Sequence, residues 1–153
     1  MKNKKNILKV LLDTSFILPT LGIDVAEEVL KGLQKLAQIS AEIYYSRFSI
    51  LESLWIATRL IKNTTFDIER FTYGLKSIMQ SGRYKSVNET PEIFIKALKL
   101  YNLGHKDLID NILYASSTHL NLKLLTLDAE LKEFINNKKL EDSVILPDQI
   151  KTL

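Results

Sequence analysis

KVLLDTSFILP, residues 9–19, decides the reading of this chain. Val10, Leu11 and Leu12 have the branched apolar character of a buried strand. The strand stops on a carboxylate, Asp13, followed by Thr14 and Ser15. An ionised carboxylate is costly at the edge of an apolar core. Asp13 is therefore either the cap of the turn that begins at Thr14 or one corner of a site.

Working outward, apolar runs alternate with helical patterns. Residues 7–12, 41–45, 83–87, 122–127 and 143–146 read as strands. Helices are expected from an Asp24 cap to about residue 39 and from residue 47 to about 62. The second of these should turn Phe48, Leu51, Leu54, Trp55 and Ile61 inward. A third should run from an Asp67 cap to about 79. Thr90-Pro91-Glu92 is a strong helix start, with Pro at the first helical position, and Gly104 ends that helix. Two more are expected over 108–120 and 129–136. Helices separate all the strands, and the sequence has no tight hairpin signal. That pattern predicts an α/β fold, a three-layer α/β/α arrangement around a central parallel sheet of four to five strands. Such sheets carry their sites at the carboxyl ends of the strands.

The length of 153 residues suits one domain spanning 1–153, with residues 1–6, MKNKKN, as a flexible basic tail. Charges interrupt every apolar stretch, so no membrane span is expected, and no secretory signal is legible at the N-terminus. The chain has no cysteine, which excludes thiolate metal sites and Cys nucleophiles and suits a cytoplasmic protein. Its net charge of +3 is compatible with a polyanionic partner and equally with a lysine-rich surface.

The carboxyl-edge rule directs attention to four acids. Asp13 follows VLL and Asp128 follows LLTL. Glu52 lies one turn into its helix, in SILESLW, and Asp110 lies in the first turn of HKDLIDNILYASS. Asp13, Asp110 and Asp128 each have a competing reading as helix caps or first-turn acids. Glu52 has none, since its helical neighbours are mostly apolar. Four carboxylates converging on one edge repel one another, and a hard divalent cation with oxygen ligands removes the conflict. The chemistry this implies is metal-assisted phosphodiester hydrolysis.

These stretches, LLDTSFILP, SILESLW, DLIDNILYASS and LLTLD, together resemble the PIN domain (PilT N-terminus-like) family, in its small stand-alone VapC type. The resemblance runs from residue 10 to 128. It implies a ribonuclease dependent on Mg²⁺ or Mn²⁺ that leaves a 5′-phosphate. It carries the metal-binding and catalytic roles over to Asp13, Glu52, Asp110 and Asp128. It also implies a homodimer, an RNA substrate, and for VapC-type toxins a small antitoxin protein inserted into the active-site groove. Asp107 competes with Asp110 for the third acidic position. The interval to Asp128 favours Asp110, leaving Asp107 as the helix cap. The alternative function is a catalytically silent PIN-like module that binds RNA or protein.

Thr14, Ser15 and Thr126 flank the acids and are candidates to orient a water or a carboxylate, in competition with ordinary turn and strand-end hydrogen bonding, which is the favoured reading for Ser15. His105 and His119 read as solvated side chains, since neither has a partner at metal-ligand spacing in the sequence. Arg47, Arg59, Arg83, Lys85 and Lys106 are candidate phosphate contacts, and Tyr44, Tyr45 and Tyr84 candidate stacking surfaces or core. For the dimer surface, an apolar face carrying Trp55, Ile56, Phe66, Phe71 and Tyr73 is one expectation, competing with a core role. A haloacid-dehalogenase-type enzyme needs an Asp where Ser15 stands. A response regulator needs adjacent acids where Asp13 stands alone. No P-loop or GxGxxG pattern occurs.

Overall fold

The structure, a computed structural model, describes residues 6–63 and 65–151. The expected basic tail over 1–6 lies outside the described residues apart from Asn6. Five parallel strands form one sheet in the order β3-β2-β1-β4-β5. They are β1 (Lys9–Leu12), β2 (Glu42–Tyr45), β3 (Tyr84–Ser86), β4 (Lys123–Leu125) and β5 (Val144–Ile145). The opening stretch supplies the central strand. Leu11 pairs with Tyr44 on one side and Leu124 on the other.

β1 is apolar on both faces because both are covered. Val10 and Leu12 enter one core with Val29, Leu36, Ile50, Phe71 and Ile78. Leu11, pointing the other way, enters a second core with Leu100, Leu113, Tyr114 and Ile135. Alternation along a strand of period two thus feeds two helical layers. The first layer holds α2 (Glu27–Gln38), α3 (Arg47–Ile61) and α4 (Ile68–Gln80), and the second α5 (Pro91–Leu103), α6 (Leu108–His119) and α7 (Ala129–Asn137). A four-residue α1 (Thr14–Ile17) follows Asp13 directly. Neither α1 nor the 3₁₀ turn Pro147–Gln149 was expected from the sequence, each being too short to show a period.

Three local expectations need correction. Asp24 does not cap α2: the cap position is Ala26, whose side chain has nothing to offer. Thr90 occupies the cap of α5, yet its hydroxyl makes no cap bond, so Pro91 carries that helix start. The inward face of α3 is also different. Ser49, Ile50, Ser53 and Ala57 are buried, while Leu51, Leu54, Trp55 and Ile61 are 40–52% exposed. Small side chains let α3 lie close to its neighbours, so the largest apolar residues, which dominate the sequence pattern, are left outside. Asp67 does cap α4, accepting from the Arg70 amide at 3.0 Å. Gly74 on α4 is obligatory in its turn, because a Cβ there would meet the Thr20 carbonyl at 2.0 Å.

Among the described residues, no helix is long and apolar enough to cross a membrane.

Candidate metal centre

The strand order changes direction at β1: the chain moves to β2 on one side and later to β4 on the other. Open parallel sheets carry their sites at such a switch point, at the carboxyl ends of the strands. Asp13 lies directly beyond β1, and Asp128 follows β4 after Thr126 and Leu127. Both are helix caps as well as strand ends. Asp13 Oδ1 accepts from the Thr14 amide, and Asp128 Oδ1 accepts from the Leu131 amide at 3.1 Å. Capping leaves lone pairs on both carboxylates, so the two readings of these residues are compatible.

The Thr126 hydroxyl links them. It donates to Asp13 Oδ2 at 2.7 Å and accepts from the Asp128 amide at 3.0 Å. Asp110 sits in the first turn of α6, and its amide donates to the Asp107 carboxylate at 3.1 Å. Asp107 is exposed and is the α6 cap. The Asp110 carboxyl lies against that of Asp128.

The electrostatics are those of acids forced together. Asp13 is pushed up to about 6, by burial first and then by Glu52 and Asp128, against the bonds from Thr126 and Thr14. Asp110 is driven well above the usual carboxylate range, by burial and then by Asp13, Asp107 and Asp128. Glu52, half-buried on α3, is thereby near enough to Asp13 to repel it. The structure thus gathers Asp13, Asp110 and Asp128 and brings Glu52 within electrostatic reach of Asp13.

His105 is also here, contrary to the expectation of a solvated ring. Ligand atoms of His105, Asp110 and Asp128 all lie within 4.8 Å of one another. Its partner is Asn111, buried on α6, with Nδ1 at 2.7 Å from Asn111 Oδ1. No metal-ligand spacing flags a histidine five residues before an acid. The turn that closes α5 at Gly104 brings the ring in. His119, at the far end of α6, is exposed as expected.

The residues present fit a divalent ion. The donors are hard oxygens plus one imidazole, and the mutual repulsion of the carboxyls is what a cation relieves. Thr14 Oγ1, next to Asp13, and Ser49 Oγ, one turn before Glu52, are buried without a hydrogen-bond partner among the described residues. Orphaned hydroxyls beside the acids suit a site that takes up further polar groups.

The candidate cations divide. Lys85 is held by Glu42 at 2.8 Å, and Arg59 lies toward the far end of α3, its Nε 3.4 Å from the Trp55 carbonyl. Arg83 stacks over Tyr84 at 5.7 Å. Lys106 lies over the Tyr101 ring at 4.3 Å, one residue from His105. Arg47 opens α3 and is exposed. Tyr45 is core, and Tyr44 and Tyr84 are half-buried in strands. Glu89, half-buried beyond β3 and marked by no sequence motif, accepts from Ser46 Oγ at 3.2 Å.

A parallel three-layer α/β domain with acids gathered at its carboxyl edge defines the class. Within it, this chain belongs to the PIN-domain family, whose model matches residues 10–136. Solved structures agree on the fold. A toxin–antitoxin complex from Klebsiella pneumoniae shares 15% identity at a TM-score of 0.58, covering 94% of this chain and 99% of that one. VapBC2 from Rickettsia felis, bound to a DNA fragment from its promoter, shares 13% at 0.63, covering 91% and 98%. VapBC-1 from nontypeable Haemophilus influenzae shares 15% at 0.62, covering 93% and 100%. Comparison with curated protein sequences gives no significant match.

Proposed function

We propose that this chain is a divalent-metal-dependent ribonuclease of the cytoplasm, the toxin of a two-protein toxin–antitoxin module. The observation that carries the reading is the meeting of Asp13, Asp110 and Asp128 at the switch point of the sheet, with Glu52 beside them. Membership of the PIN family supports the nuclease, and the solved complexes it resembles support the antitoxin partner.

Asp13, Glu52, Asp110 and Asp128 are the residues that would hold Mg²⁺ or Mn²⁺. Bound there, the ion supplies Lewis-acid polarisation of a phosphoryl oxygen and a more acidic water. The chain's own residues do the positioning. Thr126 and the Thr14 amide fix both oxygens of Asp13. The α7 cap fixes Asp128. Arg47 and Lys106, both exposed, would neutralise backbone phosphates of a bound RNA.

A homodimer is part of the proposal. Exposed Leu51, Leu54 and Trp55 on α3 and Phe94, Leu98 and Tyr101 on α5 are apolar faces that water does not favour. They meet where Phe48 packs edge-on against Phe94, 5.6 Å between ring centres. The surface expected from the sequence is split: Trp55 and Tyr73 are exposed, but Phe71 is core.

The test is end-mapped cleavage of RNA by purified protein with Mn²⁺, with EDTA, and with Asp13→Asn. Cleavage that EDTA and the substitution both abolish supports the reading. RNA binding without cleavage by the wild type would instead favour a silent binding module.

A further inference from the structure

We propose that His105 is a nitrogen ligand of the ion at this centre, making it a mixed imidazole–carboxylate site that prefers Mn²⁺ to Mg²⁺. The inference rests on the metal-site reading above and adds a donor outside the acidic quartet.

The hydrogen bonds fix which ring nitrogen is available. Asn111 places one end of its amide 2.7 Å from the His105 carbonyl. A carbonyl only accepts, so that end is the NH₂, and the other end is the amide oxygen. This oxygen faces His105 Nδ1 at 2.7 Å. Nδ1 therefore carries the hydrogen and donates it. In the neutral ring Nε2 is left with its lone pair, the form in which imidazole ligates metals. A metal-bound histidine with its other nitrogen tied to a carbonyl oxygen is the usual supporting arrangement.

The ring is also held in place. The His105 amide bonds back to the Leu100 carbonyl at 3.1 Å, closing the turn at Gly104, whose φ is +122°. The ring lies against Phe134 of α7, 5.3 Å between centres. Three elements thus fix the imidazole: the end of α5, Asn111 on α6 and Phe134 on α7. A solvated surface histidine needs none of them. The ligand atoms of His105, Asp110 and Asp128 lie within 4.8 Å of one another, a spread that a single ion can bridge.

The chemical consequence is selectivity. Carboxylates and water suit Mg²⁺, whereas imidazole favours first-row transition ions, so one nitrogen ligand tilts the site toward Mn²⁺. The expected preference depends on His105 and not on the acids alone.

The chain contains only two histidines, His105 and His119. Pulsed EPR of Mn²⁺ bound to the full, untagged protein therefore reads the ligand directly through imidazole ¹⁴N coupling. The coupling is expected in the wild type and in His119→Gln, and is expected to vanish in His105→Gln. In His105→Gln, Mn²⁺ binding by calorimetry should weaken about tenfold, with Mg²⁺ binding changed much less. Bound Mn²⁺ without ¹⁴N coupling in the wild type would overturn the inference and leave the carboxylate site standing. Coupling that survives in His105→Gln would overturn it too. Wild type that binds no Mn²⁺ would overturn both. The wild type and His119→Gln, altered only at an exposed helix end, decide the matter even if His105→Gln folds poorly.

Discussion

The Thr126 hydroxyl donates to Asp13 Oδ2 at 2.7 Å and accepts from the Asp128 amide at 3.0 Å, so one side chain fastens the ends of β1 and β4 to each other. Thr126 is buried, and no solvent replaces a bond lost there. Thr126→Val keeps the shape and removes both bonds. We expect RNA cleavage or Mn²⁺ affinity to fall about 10- to 100-fold, with Thr126→Ser recovering most of it. A purely structural Thr126 would lower the melting temperature and leave the Mn²⁺ dependence of the rate unchanged. Comparing the two readouts in both variants separates the cases.

Asp13→Asn retains an acceptor for the Thr14 amide but loses the charge. It should retain the wild-type fold by circular dichroism and cut RNA more than about 100-fold slower, beyond the range for a merely supporting residue. Equal rates in variant and wild type would remove Asp13 from the reaction.

Asp107 and Asp110 should respond in opposite ways. Asp107 is an exposed cap whose carboxylate holds the Asp110 amide. Asp107→Ala should cost about 1 kcal/mol of stability and leave cleavage largely intact. Asp110 is half-buried, and its pKa is raised by that burial first and then by Asp13, Asp107 and Asp128. Asp110→Asn should raise the melting temperature of the metal-free protein by a few degrees, at about 2–4 °C per kcal/mol for a chain of this size, while abolishing cleavage. Thermal melts in EDTA alongside cleavage assays distinguish the pair. A loss of cleavage confined to Asp107→Ala would reverse the assignment.

The sheet and its two helical layers were legible because each strand is a short apolar run bounded by helix signals, and KVLLD marks the central strand by its acid. The acids at strand ends could be found for the same reason, since topology alone sends strand ends to one edge. What the sequence hid was set by three-dimensional packing. The inward face of α3 is hidden in the sequence because Ser49, Ser53 and Ala57 carry little hydrophobic signal, yet they are what pack inward. The place of His105 is hidden too, because its proximity to Asp110 and Asp128 is produced by the turn at Gly104 and by Asn111 and Phe134. None of these contacts leaves a spacing rule in the chain.

Stability and metal binding should be linked through Asp13. Its pKa in the folded protein is about 6, above the ordinary 3.8, so the folded state holds that proton more tightly than the unfolded chain. In the pH window between about 4 and 6, the metal-free protein therefore loses this stabilisation as pH rises. The raised Asp110 acts in the same direction. An ion that binds the carboxylates must displace these protons, so binding strengthens as pH rises. We expect the rise in melting temperature on adding saturating Mn²⁺ to be larger at pH 8 than at pH 5, with protons released to the buffer in calorimetry at pH 5.5. A Mn²⁺-induced rise that is the same at both pH values would separate these acids from metal binding.

The apolar faces of α3 and α5 lead to a prediction about assembly. Leu98 is 66% exposed, a turn beyond Phe94 on the same face of α5. In an isolated chain, exchanging it for a charge removes apolar area from water's reach and should leave stability within about 0.5 kcal/mol. In a dimer that buries this face, Leu98→Glu would place two carboxylates in an apolar interface, at a cost no solvent offsets. We expect light scattering to give a dimer mass for the wild type and a monomer mass for Leu98→Glu, with matching circular dichroism spectra. Trp55→Glu, on the adjoining face of α3, should do the same. A variant mass equal to that of the wild type dimer would place the interface elsewhere, and a monomeric wild type would remove the dimer from the proposal.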